Sequence, residues 1–286
     1  MKLVRYDATN RPRVGVVKDD GVVDLAAAGG SWATMMEIIQ GGADALDAVA
    51  DIVARADASL GLDTLRLLAP IERPGKYLAI GMNYAKHLAE ADRLGVPRSQ
   101  HQVWFNKQTS CLTGPFDPID PGVTQKLDYE VELAAVIGAA AKRVSEADAP
   151  HHIFGYLVAN DVSARDWQLH SPTITMGKSF DTYGPVGPWI VTADEIADPH
   201  DLILRCCVNG EKRQESSTSE MVADLWAQIA YLSAAFTLEP GDLIATGTPE
   251  GVGVALEPPV FLKPGDVVRC EIERIGAIEN VVIAPR

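Results

Sequence analysis

The chain has few basic residues for its length. Its 286 residues include 25 lysines and arginines against 39 aspartates and glutamates, which gives a formal net charge of −14. Proteins that bind nucleic acids or anionic membranes depend on clustered lysine and arginine, so this composition argues against both kinds of partner. A small anionic substrate is compatible with the composition if a few local cations or a metal ion receive it.

Cysteine is also scarce, and its spacing excludes the common thiolate sites. The four cysteines are Cys111, Cys206, Cys207 and Cys270, and no two of them form a C-x-x-C pair. Adjacent cysteines are poorly placed to bridge each other. We therefore predict four reduced thiols in the core.

Long apolar runs are missing as well. The N-terminal segment Met1–Tyr6 lacks the apolar core of a signal peptide, and no run approaches the roughly 20 residues that a membrane-spanning helix requires. Hydrophobic residues still make up 47% of the chain, enough for a sizeable core. These features predict a cytoplasmic globular protein.

The first 70 residues have the pattern of a small separate module. Strand patterns lie at 2–6, 13–18 and 21–25, and helical patterns lie at 31–39 and 44–55. Turn-forming residues separate these patterns. Ser31 is predicted to cap the first helix, and the Gly41-Gly42 pair to separate it from the second. The stretch Ala69–Gly75 contains two prolines and resembles a linker. We predict an N-terminal domain at 1–69 and a main domain at 70–286.

The most informative stretch is Asp128-Tyr129-Glu130-Val131-Glu132-Leu133. In a strand, successive side chains point in opposite directions, so Asp128, Glu130 and Glu132 share one face. The apolar residues that follow predict that this strand enters a core, where unpaired anions are costly. A divalent cation such as Mg2+ or Mn2+ would offset the charge, because such ions prefer oxygen ligands. The alternative is an edge strand with a solvated acidic face.

A histidine and a glutamate lie three residues apart on a predicted helix. Asn83 is a predicted N-cap, and the helix that follows places His87 and Glu90 on one face. A carboxylate beside a histidine orients the ring and stabilises its protonated form, as a water-activating base requires. An ordinary surface pair is the alternative.

More polar residues follow the next apolar strand pattern. That pattern ends at Asp161, and Arg165, Gln168 and Lys178 come after it. These groups could meet in one pocket, or they could pair with neighbours or with solvent. The glycine-rich loop at 247–253 has neither phosphate-loop nor dinucleotide spacing, and it indicates backbone N–H groups close to a ligand.

The last predicted helix is amphipathic. It covers residues 220–236 with Ser219 as its cap. We interpret its apolar stripe as packing against the core. The stripe consists of Val222, Leu225, Ile229 and Leu232.

Five of these motifs, in this order, resemble the fumarylacetoacetate hydrolase family, in particular its bacterial branch with a small N-terminal domain. The resemblance covers roughly residues 70–286, and five ordered blocks are more specific than any single motif. It implies an α+β, predominantly β fold with a folded-over mixed β-sheet, and a homodimer. The motifs are Asn83-Tyr84-x-x-His87-x-x-Glu90, Asp128 to Leu133, Asn160 to Asp166, Gly177 to Asp181, and Thr246-Gly247-Thr248-Pro249-x-Gly251-Val252-Gly253.

The resemblance also implies the ligands of a metal ion. Position by position, Glu130, Glu132 and Asp161 would hold Mg2+ or Mn2+. The position before the histidine helix, where some family members supply a fourth carboxylate, has none here. Asp128 begins the strand, and we expect it to orient its neighbours rather than to contact the metal.

The remaining roles follow from the same resemblance. His87 with Glu90 would activate a water molecule, and other residues would bind the substrate and stabilise a carbanion or enolate. These other residues are Arg165, Gln168 and Lys178, with Thr248 contacting a substrate carboxylate.

The function predicted first is hydrolysis of a C–C bond in a 2,4-dioxo acid, such as an acylpyruvate or a diketo-deoxy sugar acid. A decarboxylase, isomerase or tautomerase of a related oxo acid is the alternative, because it needs the same enolate but no attacking water. A non-enzymatic metal-binding protein is a third hypothesis.

Overall fold

The computed structural model describes residues 1–286 and contains four α-helices and 17 strands. The helices are α1 (Met35–Arg55), α2 (Ala85–Arg93), α3 (Arg165–Gln168) and α4 (Leu225–Ala235). The strands are β1 (Lys2–Asp7), β2 (Pro12–Lys18), β3 (Gly21–Asp24), β4 (Leu60–Gly61), β5 (Tyr77–Gly81), β6 (Val103–Lys107), β7 (Leu112–Thr113), β8 (Leu127–Asp128), β9 (Val131–Ile137), β10 (Ile153–Asn160), β11 (Ser163–Ala164), β12 (Gly184–Thr192), β13 (Ile203–Val208), β14 (Glu211–Ser217), β15 (Leu243–Ala245), β16 (Val267–Ile272) and β17 (Gly276–Val281). The predicted α+β, predominantly β fold is confirmed.

Most strands belong to one mixed sheet. Ten of its 11 strands run in the order β4-β3-β2-β1-β12-β10-β9-β15-β5-β6, and β7 pairs beside β12. The pairs β15–β5 and β12–β7 are parallel, and the other pairs are antiparallel. A four-stranded antiparallel sheet, β14-β13-β16-β17, contacts β9 and β10. The acidic motif therefore lies where two sheets pack together.

The N-terminal strands extend the large sheet. β1 pairs with β12 in antiparallel register, with Lys2 opposite Val191 and Leu3 opposite Ile190. Strands β1 to β3 agree closely with the predicted strand patterns. The division into domains at 1–69 and 70–286 concerns independent folding, and it stays a prediction.

Helix α1 is capped three residues later than predicted. The side chain of Thr34, not Ser31, accepts a hydrogen bond from the backbone N–H of Glu37, at 3.2 Å. The predicted break is present, because Gly42 adopts a non-helical conformation with φ of 59° and ψ of −140°. A residue without Cβ adopts this conformation with little strain.

Helix α4 starts later than the periodicity predicted. Asp224 caps it by accepting from the N–H of Ala227 at 2.8 Å, and Val222 lies outside the helix and is exposed. The reason is tertiary: Asn83 accepts from the N–H of Val222 through its carbonyl and from that of Ala223 through its side chain. The three later stripe residues are buried, namely Leu225, Ile229 and Leu232.

Strand β9 lies in the interior of the sheet, between β10 and β15. All residues from Val131 to Ile137 are buried, and so are Asp128 and Glu130. The alternative of a solvated acidic edge strand is therefore wrong for this protein. The motif is also not one continuous strand, because β8 ends at Asp128 and β9 begins at Val131.

No helix in the structure combines the length and the apolar character needed to cross a membrane. All four cysteines are free thiols, as predicted, although Cys207 is only partly buried.

The close approach of β10 and β12 yields a stability prediction. A Cβ atom added at Gly155 would lie 2.3 Å from the carbonyl oxygen of Val191 and 2.7 Å from Cγ2 of Ile190, so the strands would have to separate. We expect Gly155→Ala to lower the free energy of unfolding by roughly 2–4 kcal/mol, as overpacking of a core does. Urea denaturation measures this, with Gly81→Ala as the matched control because the nearest atom there is 3.9 Å away. Equal stability of the two variants would contradict the prediction.

Candidate active site

Three carboxylates meet where β9 and β10 pair. Glu132 lies opposite Ala159 in the register, Asp161 directly follows β10, and Glu130 directly precedes β9. The N–H of Asp161 donates to the carbonyl oxygen of Glu130 at 2.9 Å, which holds the two ends together. One carboxylate oxygen from each of Glu130, Glu132 and Asp161 lies within 4.8 Å of the others.

Lys178 and Arg165 neutralise part of this charge. The Lys178 ammonium donates to Glu130 and to Asp161, at 2.7 Å each, and the Arg165 guanidinium donates to Glu130 at 2.6 Å. Burial opposes ionisation of Glu130, yet Lys178 and Arg165 lower its pKa to about 2. Burial likewise opposes the charge of Lys178, but Asp161 and Glu130 raise its pKa above the usual value. These pairs therefore stay ionised at neutral pH.

Lys107 is a third cation in the cluster, and the sequence interpretation missed it. Its side chain is fully buried, and its ammonium donates to Asp161 and to the carbonyl oxygen of Lys178. Lys107 therefore links the carboxylate of Asp161 to the backbone of Lys178, whose side chain also contacts the cluster. The strand alternation of β6 could have revealed it, because Lys107 shares a face with the buried Phe105.

The donor set fits a divalent cation. Four buried carboxylates, including Asp128, face three cations, and Glu132 is the carboxylate without a cationic partner. Its carboxylate accepts one hydrogen bond, from the N–H of Gly247 at 2.9 Å. Burial, followed by Asp161 and Glu130, raises the pKa of Glu132 well above its usual value. A hard divalent cation, which prefers oxygen ligands, would offset this charge.

His87 and Glu90 form a pair inside the cavity rather than on the open surface. Their side chains are 14% and 11% exposed, and Nδ1 of His87 lies 3.0 Å from a carboxylate oxygen of Glu90. The other oxygen of Glu90 accepts from the N–H of Gly251 at 2.9 Å. Because a carboxylate accepts at Nδ1, the proton is assigned to that nitrogen and Nε2 is left with a free lone pair.

Arg165, Gln168 and Thr248 line the same cavity. Arg165 donates to the side-chain oxygen of Gln168 at 3.0 Å, and the amide nitrogen of Gln168 makes no hydrogen bond within the protein. The Thr248 hydroxyl accepts from the Gln214 amide at 2.8 Å and keeps its own proton for a ligand. All three predicted substrate-binding residues thus lie at the cavity with polar groups that can bind an anion or a carbonyl.

Two side-chain amides, which the sequence did not single out for these roles, hold together the segments around the site. Gln214 accepts from the N–H of Val131 at 3.1 Å and donates to Thr248 and to the carbonyl oxygen of Pro249. Asn83, predicted as the N-cap of α2, instead donates to the carbonyl oxygens of Thr246 and Ala223. The N-cap position belongs to Tyr84, without a side-chain cap bond. Both amides join segments that are distant in the chain.

Asp128 lies outside the three-carboxylate cluster. It accepts from Arg165 at 2.8 Å and from the N–H groups of Gly253 and Val254, at 2.8 Å and 3.0 Å. It therefore fixes both the guanidinium and the glycine-rich loop. Asp128 and Glu130 together raise the pKa of Arg165, although burial alone would lower it.

The cavity that joins these groups has a volume of about 380 Å³. Its polar end contains His87, Glu90, Glu130, Arg165, Gln168, Lys178 and Thr248. The rest of the lining is predominantly apolar. A substrate of modest size could therefore contact the His87–Glu90 pair, Lys178 and Glu130 of the carboxylate cluster at once.

The buried position of Lys107 predicts a large stability effect. Lys107→Met removes one of the two cations paired with Asp161 and leaves Lys178 as the other. It should lower the free energy of unfolding by up to roughly 3–5 kcal/mol, because breaking a buried pair leaves a buried charge less compensated. Chemical denaturation in the absence of metal measures the loss. Lys212→Met is the control, because Lys212 lies in an exposed pair and should cost about 1 kcal/mol or less. Similar losses in both variants would show that Lys107 is dispensable for the fold.

Comparison with known proteins extends over the whole chain. Residues 76–283 match the family model described as fumarylacetoacetate (FAA) hydrolase C-terminal. A mitochondrial oxaloacetate tautomerase of Xenopus laevis is 45% identical over 99% of this chain and 90% of its own length.

Two solved structures also resemble this protein over almost its whole length. A fumarylacetoacetate hydrolase from Exiguobacterium antarcticum has a TM-score of 0.83 at 38% identity, covering 99% of both chains. A maleylpyruvate hydrolase from Sphingobium sp. SYK-6, solved in complex with manganese(II) and pyruvate, has a TM-score of 0.85 at 32% identity, covering 100% of both chains.

Site geometry and relatives lead to the same assignment. Glu130 and Glu132 come from one motif and Asp161 from the next, and the structure brings the three within reach of one ion. The family match spans the strands that carry them. The assignment predicted from five ordered motifs is thus confirmed. The chain belongs to the fumarylacetoacetate hydrolase family and is an enzyme, and its three clustered carboxylates support a site for a divalent metal ion.

Proposed function

We propose that this protein interconverts the keto and enol forms of a 2-oxo acid, as a metal-dependent tautomerase. The observation that carries the proposal is the position of two proton-handling groups on one cavity. His87, oriented by Glu90, lies there together with Lys178, an ammonium beside the carboxylate cluster. Proton removal at carbon and charge stabilisation at oxygen are the two requirements of keto–enol exchange.

The relatives support this order of hypotheses. The Xenopus laevis relative, which aligns along almost the entire chain, carries the name of an oxaloacetate tautomerase. From sequence alone, hydrolysis came first and tautomerisation second. The order is reversed here because tautomerisation uses the same residues and needs no attacking water.

Glu130, Glu132 and Asp161 would hold the metal, and Mg2+ or Mn2+ is our proposal for its identity. When bound, the cation supplies a Lewis acid that polarises the substrate carbonyl. The structure of the maleylpyruvate hydrolase contains manganese(II), which supports the second of these ions.

The protein side chains account for the rest of the chemistry. The Thr248 hydroxyl and the Gln168 amide bind the substrate carboxylate through their free N–H and O–H groups. Nε2 of His87 removes a proton from C3, and the C–H electron pair forms the C2–C3 double bond while the carbonyl pair moves to oxygen. Lys178 stabilises that oxygen by hydrogen bonding. The imidazolium, whose charge Glu90 offsets, returns the proton to the oxygen, so no proton is gained or lost overall.

Hydrolysis of a C–C bond is the second candidate. The same His87–Glu90 pair could deprotonate a water molecule instead of a carbon acid, as the sequence predicted. The likeness to the maleylpyruvate hydrolase favours this reaction. Its products would be a carboxylic acid and a pyruvate, whereas tautomerisation gives no second product.

One experiment separates the candidates. The enol form of oxaloacetate is mixed with Mg2+-loaded protein, its ultraviolet absorbance is followed, and the products are identified by NMR. We expect faster decay to the keto form than with Mg2+ alone. Decay at the metal-only rate for this enol and also for the enol of phenylpyruvate would overturn the proposal. Formation of pyruvate from oxaloacetate would indicate decarboxylation, and cleavage of an acylpyruvate would indicate hydrolysis.

The other features that we propose are a homodimer, a cytoplasmic location, and the absence of nucleic-acid and membrane partners. The name of the Xenopus laevis relative places that relative in mitochondria.

A further inference from the structure

We infer that the natural substrate is a 2-oxo acid with one carboxylate and an apolar alkyl or aryl substituent on C3, rather than a short dicarboxylate. The inference rests on the proposed function and adds the substrate class. It follows from how charge and apolar surface are distributed around the cavity.

Positive charge is confined to one end of the cavity. The arginine and the lysine that line the cavity are Arg165 and Lys178, and both also contact Glu130. With a metal ion at the same end, this end suits one carboxylate and the adjoining carbonyl. A second carboxylate farther out would meet no cationic side chain in the lining.

The outer walls are apolar and come from three separate segments. Leu94 follows α2 and Val103 begins β6, Leu169 and Ile174 follow α3, and Val254 directly follows the glycine-rich loop. Placing a carboxylate among such side chains without a partner costs free energy, whereas an alkyl or aryl group gains it.

The walls are also accessible to solvent. Leu94 is 52% exposed, Val96 is 42% exposed and Leu169 is 86% exposed, and no other part of the chain covers them. Apolar side chains grouped at a cavity mouth are typical of a site that receives an apolar ligand group.

Cations near the mouth do not change this assignment. Arg98 follows Val96 closely in sequence, but it is held by Asp92 with nitrogen to oxygen distances of 2.9 Å and 3.0 Å. Neither Arg93 nor Arg98 lines the cavity. The nearest arginines are therefore not placed to bind a distal carboxylate inside it.

A binding series tests the inference without requiring turnover. N-alkyl oxamates have the carboxylate and carbonyl of a 2-oxo acid with an alkyl group in the place of the C3 substituent, and they cannot tautomerise. Calorimetry with Mg2+-loaded protein would compare oxamate, N-methyl, N-propyl and N-pentyl oxamate, and N-oxalylglycine, a dicarboxylate of similar size. We expect roughly three- to fourfold tighter binding for each added methylene, and N-oxalylglycine at least about tenfold weaker than N-propyl oxamate. Equal affinity along the series, or tightest binding of N-oxalylglycine, would overturn the inference.

A substitution at the mouth provides the matched test. Leu169 is exposed, so Leu169→Arg should fold, and it places a cation where the inference puts an apolar group. We expect it to reverse the ranking of N-propyl oxamate and N-oxalylglycine, while Leu169→Met keeps the original ranking. Val103→Arg repeats the test on a second wall. An unchanged ranking in both arginine variants would show that these walls do not contact the substituent, and the inference would fail.

The two levels of proposal fail separately. If affinity rises with chain length but no oxo-acid enol is converted faster than by metal alone, the substrate class stands and the tautomerase proposal is wrong. If oxaloacetate and phenylpyruvate enols are both converted, we expect kcat/KM to be at least about tenfold higher for phenylpyruvate. The opposite preference would contradict the inference alone.

Discussion

Replacing His87 with alanine should lower kcat of oxo-acid tautomerisation by roughly a hundred- to ten-thousandfold, the range that general base catalysis contributes. Nε2 of His87 is the cavity nitrogen that has a free lone pair, and its orientation depends on Glu90. Metal binding should be unchanged, because His87 is not among the three carboxylates that meet. Stopped-flow absorbance of the enol gives kcat, and calorimetry gives the metal affinity.

Two further variants control this experiment. His151→Ala removes an exposed histidine outside the cavity and should leave kcat unaltered. Glu90→Gln keeps a hydrogen-bond acceptor for His87 but removes the negative charge, so we expect an intermediate loss of roughly ten- to hundredfold. Tautomerisation at the wild-type rate in His87→Ala would exclude His87 as the base.

Neutralising Glu132 should have opposite effects on the metal-free protein and on metal binding. Glu132 is buried and has no cationic partner. Glu132→Gln should therefore raise the melting temperature of the metal-free protein, since it removes an uncompensated buried charge. It should weaken Mg2+ binding by roughly a hundredfold or more, because it also removes a predicted ligand. Thermal unfolding in a chelator and calorimetric metal titration measure the two effects.

Glu130→Gln is the matched contrast, because Glu130 is paired with Lys178 and Arg165. This variant should lower the stability of the metal-free protein by roughly 3–5 kcal/mol, since two buried cations lose a partner. Both variants should bind metal weakly. If the two substitutions changed metal-free stability in the same direction, the assigned charge distribution would be incorrect.

The pH dependence of metal-free stability should show the same contrast between Glu132 and Glu130. The pKa of Glu132 is raised in the folded state, so its contribution to stability is largest below the ordinary glutamate pKa and is lost as the pH rises through the folded pKa. The pKa of Glu130 is lowered to about 2, so its contribution is present above the ordinary glutamate pKa and is lost as the pH falls towards 2. Glu132→Gln should therefore remove the loss of stability on the alkaline side and leave the acid side unchanged.

Much of the site could be predicted from the sequence because its information is local. His87 and Glu90 lie three residues apart, which puts them on one face of a helix wherever that helix packs. The alternation of the acidic motif likewise placed Glu130 and Glu132 on one face with Asp128, and the ordered motifs added Asp161 and predicted the family. The central strands were also identifiable, because runs such as Leu133–Ile137 are apolar on both faces and belong in a core.

Helix starts were less predictable because caps compete. Ser31 and Thr34 are both suitable N-caps by chemistry, and Thr34 is the one that bonds to the helix. At α4, bonds from Val222 and Ala223 to Asn83 hold the preceding residues out of the helix, and Asn83 lies 140 residues earlier in the chain. Propensity does not contain such a contact.

The sequence by itself therefore determined the fold class, the family, the three carboxylates and the His87–Glu90 pair, since these depend on residue types at short spacings and on the order of the motifs. Only the tertiary structure decided how the charge of the buried carboxylates is compensated. Lys107, Lys178 and Arg165 reach them from other segments, while Glu132 is left without a cation. The apolar walls of the cavity were likewise decided by packing, because they come from three separate segments. The periodicity of the sequence does not predict that these segments share a face. The physical reason is the same in each case: pairing of strands and packing of sheets bring together groups whose separation in sequence carries no signal.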